Sequence, residues 1–468
     1  MKYLFCFGLF TLLALFTSFA LMNSEGNDFE TRIIASGLSD PWSVVVGQDN
    51  QLWVNESKGY RVLKINPDNG AKKIVLDLNA EKEFPSFDAQ KKAQQPVPQG
   101  GLMGLALHPQ FLKGKPFVYL SYVYRHLQGN QFLLRLARYR FNASKQQLEA
   151  PVIICDTIPA SNDHNGGRLI IAPANGKHYL FYAVGDQGSG QFSNGGRPNK
   201  AQQKNSYEGK ILRFNLEPEG AAEWIPADNP ALPEQSAIWT VGHRNSQGLA
   251  FAMINKKERL YASEHGPYSD DEINLIEKGG NYGHPLVIGY NDGNYDHLAA
   301  SVSDEAKRPG KWHTTYPLII SEKSNADLIG KAYKDPKISF YPTSNEKLTS
   351  LFEKVKVGTK AEWEAYAPSG IAIYQSDAIP GWSPSLLVTT LKTGKLLRLK
   401  INNDGSINPK VHEYFSSRVR YRDVAVANDG TKIYLATDSS AVTSGPSAEN
   451  PKAISQRGCI LELKYFKK

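Results

Sequence analysis

Cysteine is scarce in this chain of 468 residues, which carries three: Cys6, Cys155 and Cys459. Their placement offers no Cys/His spacing of the kind that holds a structural zinc. Cys6 lies in an N-terminal apolar run, so only Cys155 and Cys459 remain to pair or to stay as two thiols, and spacing alone leaves that choice open. Runs of like charge are missing too. The 54 Lys and Arg outnumber 46 Asp and Glu, for a formal charge of +8, but they are scattered, which argues against a nucleic-acid partner. Beyond the first twenty residues no apolar stretch is long enough to span a bilayer.

The N-terminus reads differently from the rest. Lys2 is followed by "YLFCFGLFTLLALF" and then "TSFA", with small residues at Ser18 and Ala20. A basic start, an apolar run and a small-x-small end predict a secretory signal over 1–20; a membrane anchor is the alternative. On this reading residues 21–35 are an N-terminal extension, and the product is a periplasmic or secreted protein without stable membrane insertion.

What the chain does contain is a repeated pattern. Apolar runs follow turns in "PWSVVVGQDNQLWVNESKGYRVLKINPDNG", then from "GGLMGLALHPQF" to "FLLRLARYRF", then in "GGRLIIAP", "YLFYAVGD" and "GKILRFNL". Three more copies begin at "SQGLAFAM", "PSGIAIYQ" and "YRDVAVAN". Short β-branched and aromatic runs divided by Gly, Asn, Asp and Pro are strands with turns. Six such units over 36–468 predict an all-β, six-bladed β-propeller of four-stranded antiparallel blades, since ring closure protects the strand edges. Two stacked β-sandwiches are the alternative. Residues 80–99, 188–207 and 293–362 break the repeat and predict long loops over one face, the last of them a cap-like insertion.

Four constellations have the composition of chemical sites. "SNDHNGGRL" sets Asp163 beside His164; a carboxylate can orient an imidazole that takes protons near neutrality, though the pair alone is weak evidence. "VGHRNSQGLAF" places Arg244 and Asn245 in a turn, either to bind oxygens or to cap the turn itself. "SSRVRYRD" spaces Arg418, Arg420 and Arg422 by two, on one side if the segment is a strand, and Lys392 lies in a comparable turn of "TTLKTGKLLRL". Finally "EHGPYSDDEINLIEKGGNYGHP" gathers Asp270, Asp271 and Glu272, with Asp292 nearby. These are hard oxygen ligands for calcium, or else a solvated acidic loop.

In this order the four motifs resemble the soluble dehydrogenases that use pyrroloquinoline quinone (PQQ) to oxidise sugars. The resemblance runs from about 36 to 465 and is densest in "GHRNSQGLAF", "GPYSDDEINLIEKGGNYGHP" and "RYRD". It implies His164 as general base supported by Asp163, and Arg244 stabilising charge on the quinone oxygen. It further implies Asn245, Lys392, Arg420 and Arg422 around PQQ, and Gln99, Gln187 and Trp363 on the sugar. Carbonyls of Gly266 and Pro267 would bind one Ca2+ against PQQ. Asp271, Glu272, the Tyr282 carbonyl and Asp292 would hold a second Ca2+ near the contact of a possible homodimer. The implied partners are a sugar substrate and an electron acceptor whose identity is open. Three departures fall on the sugar rim: His284 where glucose-oxidising members carry Trp, Lys360 where Tyr is expected and Val419 where Asn is usual. A calcium-dependent propeller lactonase and a non-catalytic ligand-binding propeller remain as rival readings.

Overall fold

The computed structural model describes residues 28–79, 100–126, 131–191, 194–217, 224–230, 235–302, 314–359, 361–439 and 456–466. Strand β1 (Phe29–Ala35) opens the chain, followed by a sheet of β2 (Pro41–Val46), β3 (Leu52–Glu56), β4 (Arg61–Ile65) and β5 (Lys72–Asp77). The second sheet is β6 (Leu102–Leu107), β7 (Phe117–His126), β8 (Gln131–Asn142) and β9 (Gln147–Pro159). The third is β10 (Leu169–Ala174), β11 (Lys177–Val184), β12 (Lys210–Asn215) and β13 (Ile238–Val241). The fourth is β14 (Ser246–Ile254), β15 (Lys257–Glu264), β16 (Asp271–Ile276) and β17 (Ile338–Phe340). The fifth comprises β18 (Pro368–Tyr374), β19 (Ser385–Thr390), β20 (Leu396–Ile401) and β21 (Ile407–Tyr414). Last come β22 (Tyr421–Val426), β23 (Lys432–Thr437) and β24 (Ile460–Tyr465), with β1 as the fourth strand.

Every pairing is antiparallel within these six sheets. The first strands touch in ring order, β2 to β6, β10, β14, β18, β22 and back to β2, so the sheets are blades around one axis. Apolar side chains fill the gaps between neighbouring blades: Trp53 and Tyr139 join the first two, Tyr182 and Leu136 the next, Tyr374 and Leu435 the last two. Burying these faces between sheets is the main favourable term, at roughly 25 cal/mol per Å2 of apolar surface.

Two boundaries differ from the sequence reading. Residues 29–35, set apart as extension, pair with β24 from Phe29↔Tyr465 to Ala35↔Ile460 and close the ring. The stretch 293–362 is not one cap, because it contains β17, which pairs with β16 as the outer strand of the fourth blade. Around that strand lie helix α1 (Glu322–Ile329) and helix α2 (Asn345–Lys356), the latter burying Leu348, Leu351 and Phe352 at helical spacing. Tyr268, Ile288, Tyr295, Tyr316 and Phe352 form a separate core under these insertions. Residues 1–20, with the expected signal, and 80–99, with Gln99, lie outside the described residues, as does Lys360. Among the described residues no helix is long and apolar enough to cross a membrane.

Candidate active site

In each blade the first strand begins, and the second ends, on the same face of the ring. His164 precedes β10, Arg244 and Asn245 precede β14, and Arg420 precedes β22. Asp186 follows β11, His265 follows β15, Lys392 follows β19 and Asp438 follows β23. The topology therefore collects these side chains from four blades.

His164 is 6% exposed and sits at a positive φ of 44° in the turn before β10. Its Nδ1 lies 2.8 Å from Asp186 Oδ1. A carboxylate accepts, so Nδ1 carries the proton and Nε2 is left with its lone pair free to take another. Nε2 faces the Gln191 amide nitrogen at 3.1 Å and Asp163 Oδ1 at 3.8 Å. Gln191 also donates to Asp163 Oδ2 at 3.0 Å and accepts from Arg244 at 3.1 Å, spanning the gap between base and cation. Asp186 has no exposed surface. Burial alone would raise its carboxyl, but the His164 charge and hydrogen bonds from His164 and His284 outweigh that and hold it well below the usual carboxylate range.

Arg244 is aimed by its own backbone. Glu264, fully buried, accepts from the Arg244 amide, from Ser246 Oγ at 2.8 Å and from His243 Nδ1 at 2.9 Å. The Arg244 guanidinium donates to His265 O at 3.1 Å, and its buried Nε has no partner. Asn245 Oδ1 accepts from Gly166 N at 3.2 Å, which ties the fourth blade to the third rather than capping its own turn. Arg420 and Arg422 share one buried carboxylate, Asp438, at 3.0 and 2.6 Å, and Arg422 lies 4.2 Å over the Trp42 ring. Arg418 does not join them: β22 starts only at Tyr421, so the period-2 register is not set before it, and Arg418 is exposed. Lys392 bonds the Trp363 carbonyl and covers its ring at 4.1 Å; burial lowers its ammonium below the ordinary value.

His265 escaped sequence reading. Burial first, then Arg244, His164, Arg422 and Arg420, hold its imidazole well below its ordinary pKa, and its buried Nε2 has no partner. A neutral ring beside three guanidinium groups marks this face of the ring as rich in positive charge. Asp186, Gln191, His284 and Tyr316 were missed as well. "VGDQGSGQF" carries the available signal, with Asp186, Gln187 and Gln191 in one turn-rich stretch. Gln187 has φ 66°, its side-chain amide donates to Gly185 O at 3.2 Å, and its backbone N–H donates to His164 O at 3.2 Å. Trp363 is half-buried and packs edge-on against Tyr268 at 4.9 Å.

The three consecutive acids divide. Asp270 and Glu272 point to one side: Glu272 accepts from Gly289 N at 3.0 Å, and Asp270 from Asn294 and Ser339. Asp271 points to the other, where its oxygens accept from the backbone of Gly266, Tyr366 and Ala367. The pleat of β16 separates Asp271 from Glu272, and Asp270 precedes the strand at a φ of 58°, so Asp271 is not with Glu272 and Asp292. Burial foremost, then nearby acids, pushes Asp270 up to about 6, Glu322 up to about 7 and Glu272 well above its ordinary value. Asp292 is exposed, and among the described residues no three acidic, His or Cys side chains are disposed to hold a metal ion by themselves. Pro267 O accepts from Tyr295, while the Tyr282 hydroxyl donates to Leu275 O at 2.7 Å.

The profile of the family described as glucose/sorbosone dehydrogenase matches residues 38–326 and 329–443. The chain belongs to this family. It is 34% identical to quinoprotein glucose dehydrogenase B of Acinetobacter calcoaceticus over 96% of this chain and 93% of that one. It is 28% identical to the aldose sugar dehydrogenase YliI of Escherichia coli, over 73% of this chain and 76% of the relative. Among solved structures, the PQQ-bound aldose sugar dehydrogenase of Streptomyces coelicolor superposes with TM-score 0.62 at 23% identity, covering 93% and 98% of the chains. That last likeness speaks for the shared propeller. Within the glucose/sorbosone dehydrogenase family, the His164–Asp186 pair and the Arg/Lys ring form this chain's candidate centre.

Proposed function

We propose that this chain oxidises an aldose at its anomeric carbon to the lactone, with PQQ as cofactor and calcium in support. The observation that carries this reading is a base whose Nε2 is linked through Gln191 to Arg244, with Arg420 and Arg422 acting beside Arg244 on His265 and Lys392 following β19 on the same face of the ring. PQQ is a tricarboxylate, and the residues fit it: Arg420 and Arg422 share one carboxylate, Asp438, and Arg244 Nε and His265 Nε2 lack partners. Calcium fits by donor chemistry, through the carbonyls of Gly266 and Pro267 and, on the other side of β16, through Glu272 and Asp292 with the Tyr282 carbonyl. Asp270 and Glu322 extend that second set, and Asn274, Asn291 and Asn294 each have a buried amide oxygen without a partner. Asp271, bound to three backbone amides, fits the role of bracing the Gly266 turn better than that of a ligand.

When bound, PQQ supplies a quinone carbonyl that accepts the anomeric hydrogen as hydride, with calcium as Lewis acid. The chain does the rest. His164 Nε2 takes the hydroxyl proton, and Asp186 at Nδ1 stabilises the resulting imidazolium. Gln191 and Asp163 hold the hydroxyl side of the sugar against that nitrogen. Arg244 directs positive charge to where negative charge develops. Trp363 offers a ring for the sugar face, and the family resemblance puts Gln99 and Gln187 on the same rim. Electrons then leave to a separate acceptor. A secretory signal over 1–20 and a homodimer through the acidic loop complete the proposal.

The test adds PQQ and calcium to the purified chain and follows dye reduction across aldoses, disaccharides and polyols. Reduction that requires both PQQ and a sugar supports the reading. PQQ binding without turnover on any of them points to the non-catalytic propeller. Absence of PQQ binding sinks the quinoprotein reading and favours the lactonase.

A further inference from the structure

The insertion between β16 and β17 returns to the base from below. Its Tyr316, 130 residues along the chain from Asp186, donates to Asp186 Oδ2 at 3.0 Å. The same oxygen accepts from His284 Nε2 at 2.9 Å and Asn199 Nδ2 at 3.0 Å. The other oxygen accepts from His164 Nδ1 at 2.8 Å and Gly188 N at 2.9 Å. Tyr316 is 3% exposed, and its ring meets the His284 ring edge-on at 5.6 Å. The loop carrying Gln191 is shaped around it: a Cβ on Gly190, at φ +100°, would lie 2.9 Å from the Tyr316 ring. The segment is pinned there by Thr315 N to Gly195 O at 3.0 Å and Thr315 Oγ1 to Arg197 O at 2.6 Å.

We infer that Tyr316 is a positioning residue: its hydroxyl, with His284, clamps the Asp186 carboxylate and so sets the orientation and basicity of His164. This rests on the reading of His164 as proton acceptor. A hydrogen bond donated to Oδ2 draws charge from the carboxylate and leaves less to stabilise an imidazolium at Oδ1. Removing a donor therefore makes His164 more basic and frees Asp186 to rotate. Burial and the Asp186 charge keep the Tyr316 phenol well above its ordinary pKa, so it remains a donor. Other groups facing the base act from fixed places: Asp163 from its own turn, Arg244 through Gln191, His265 from beyond β15, and Glu264 behind Arg244. Tyr316 and His284 both reach Asp186 from the stretch between β16 and β17.

The experiment uses the full chain with PQQ and calcium for rates, and the same chain without them for spectra. In Tyr316→Phe the acid limb of kcat/KM against pH should move up by roughly half a pH unit, a roughly threefold loss below the limb. The plateau and the melting temperature should hardly change. The His164 imidazole, labelled with 15N and assigned by its loss in His164→Gln, should titrate higher by the same amount. His284→Leu should shift the limb the same way, while His284→Gln, whose amide can replace the ring donor, should not. An active Tyr316→Phe chain with an unmoved limb and an unmoved imidazole titration overturns the inference. If no form of the chain turns over sugar, the proposed function fails, and the imidazole titration still decides the role of Tyr316. Should Tyr316→Phe not fold, the contrast between His284→Leu and His284→Gln decides it, and equal behaviour of those two overturns it.

Discussion

Asp186 Oδ2 accepts from three side chains while Oδ1 holds the imidazole, and that arrangement makes His164 a base of fixed tautomer. His164→Gln should therefore lose turnover by roughly 10²- to 10⁴-fold, the usual worth of a general base, while PQQ still binds; stopped-flow reduction with saturating sugar measures it. On the cation side, a hydrogen bond to a charged group is worth about 1.5–3 kcal/mol. Arg420→Gln should accordingly weaken PQQ by roughly 10- to 100-fold in an absorbance titration. Unchanged affinity would place the carboxylates elsewhere.

The acidic stretch acts as an element because the β16 pleat sends its residues to two jobs. On one side, Asp271 fastens the Gly266 turn to the start of β18. On the other, Asp270, Glu272 and Glu322 are buried acids whose folded pKa values lie above their unfolded ones. An acid raised in this way favours the fold while protonated. Its contribution is whole below about pH 4 and is lost as pH rises through about 6 to 7. With chelator present, the melting temperature should thus be lower at pH 8 than at pH 5, and added calcium should remove most of that difference. Equal melting at both values, with and without calcium, would argue that no cation belongs there. The insertions have the same double character: α2 packs Leu348 and Phe352 into their own core, and that core holds Tyr316 against the base. Length and polarity, which mark 293–362 as a cap-like insertion, do not reveal β17 inside the stretch.

Across the whole molecule, ring closure falls to the N-terminal strand. β1 pairs along β24, and Arg32 adds an ion pair to Glu462 at 2.6 Å. Deleting residues 29–35 would leave the β24 edge unpaired and expose the apolar layer beneath it. A loss of roughly 3–6 kcal/mol is expected from the ladder hydrogen bonds alone, read as a lower midpoint in urea. A midpoint unchanged by the deletion would show that the ring closes without this strand.

The sequence by itself determined the six repeats, most of their strands though not β1 or β17, and the motifs holding His164, Arg244, Lys392, Arg420 and Arg422. Those signals are local: alternation of apolar residues, turn chemistry within a few positions, and charge where a strand meets a loop. It did not reach the partners that make these residues a site. Asp186 lies 22 residues from His164, Gln191 lies 27 away, and Tyr316 belongs to another blade's insertion. Nor did it separate Gln187, whose amide bonds Gly185 O, from Gln191, whose amide reaches the base. Only the tertiary structure could choose among them, because a hydrogen bond depends on tenths of an ångström and on direction, and those are set by how six sheets pack around one axis.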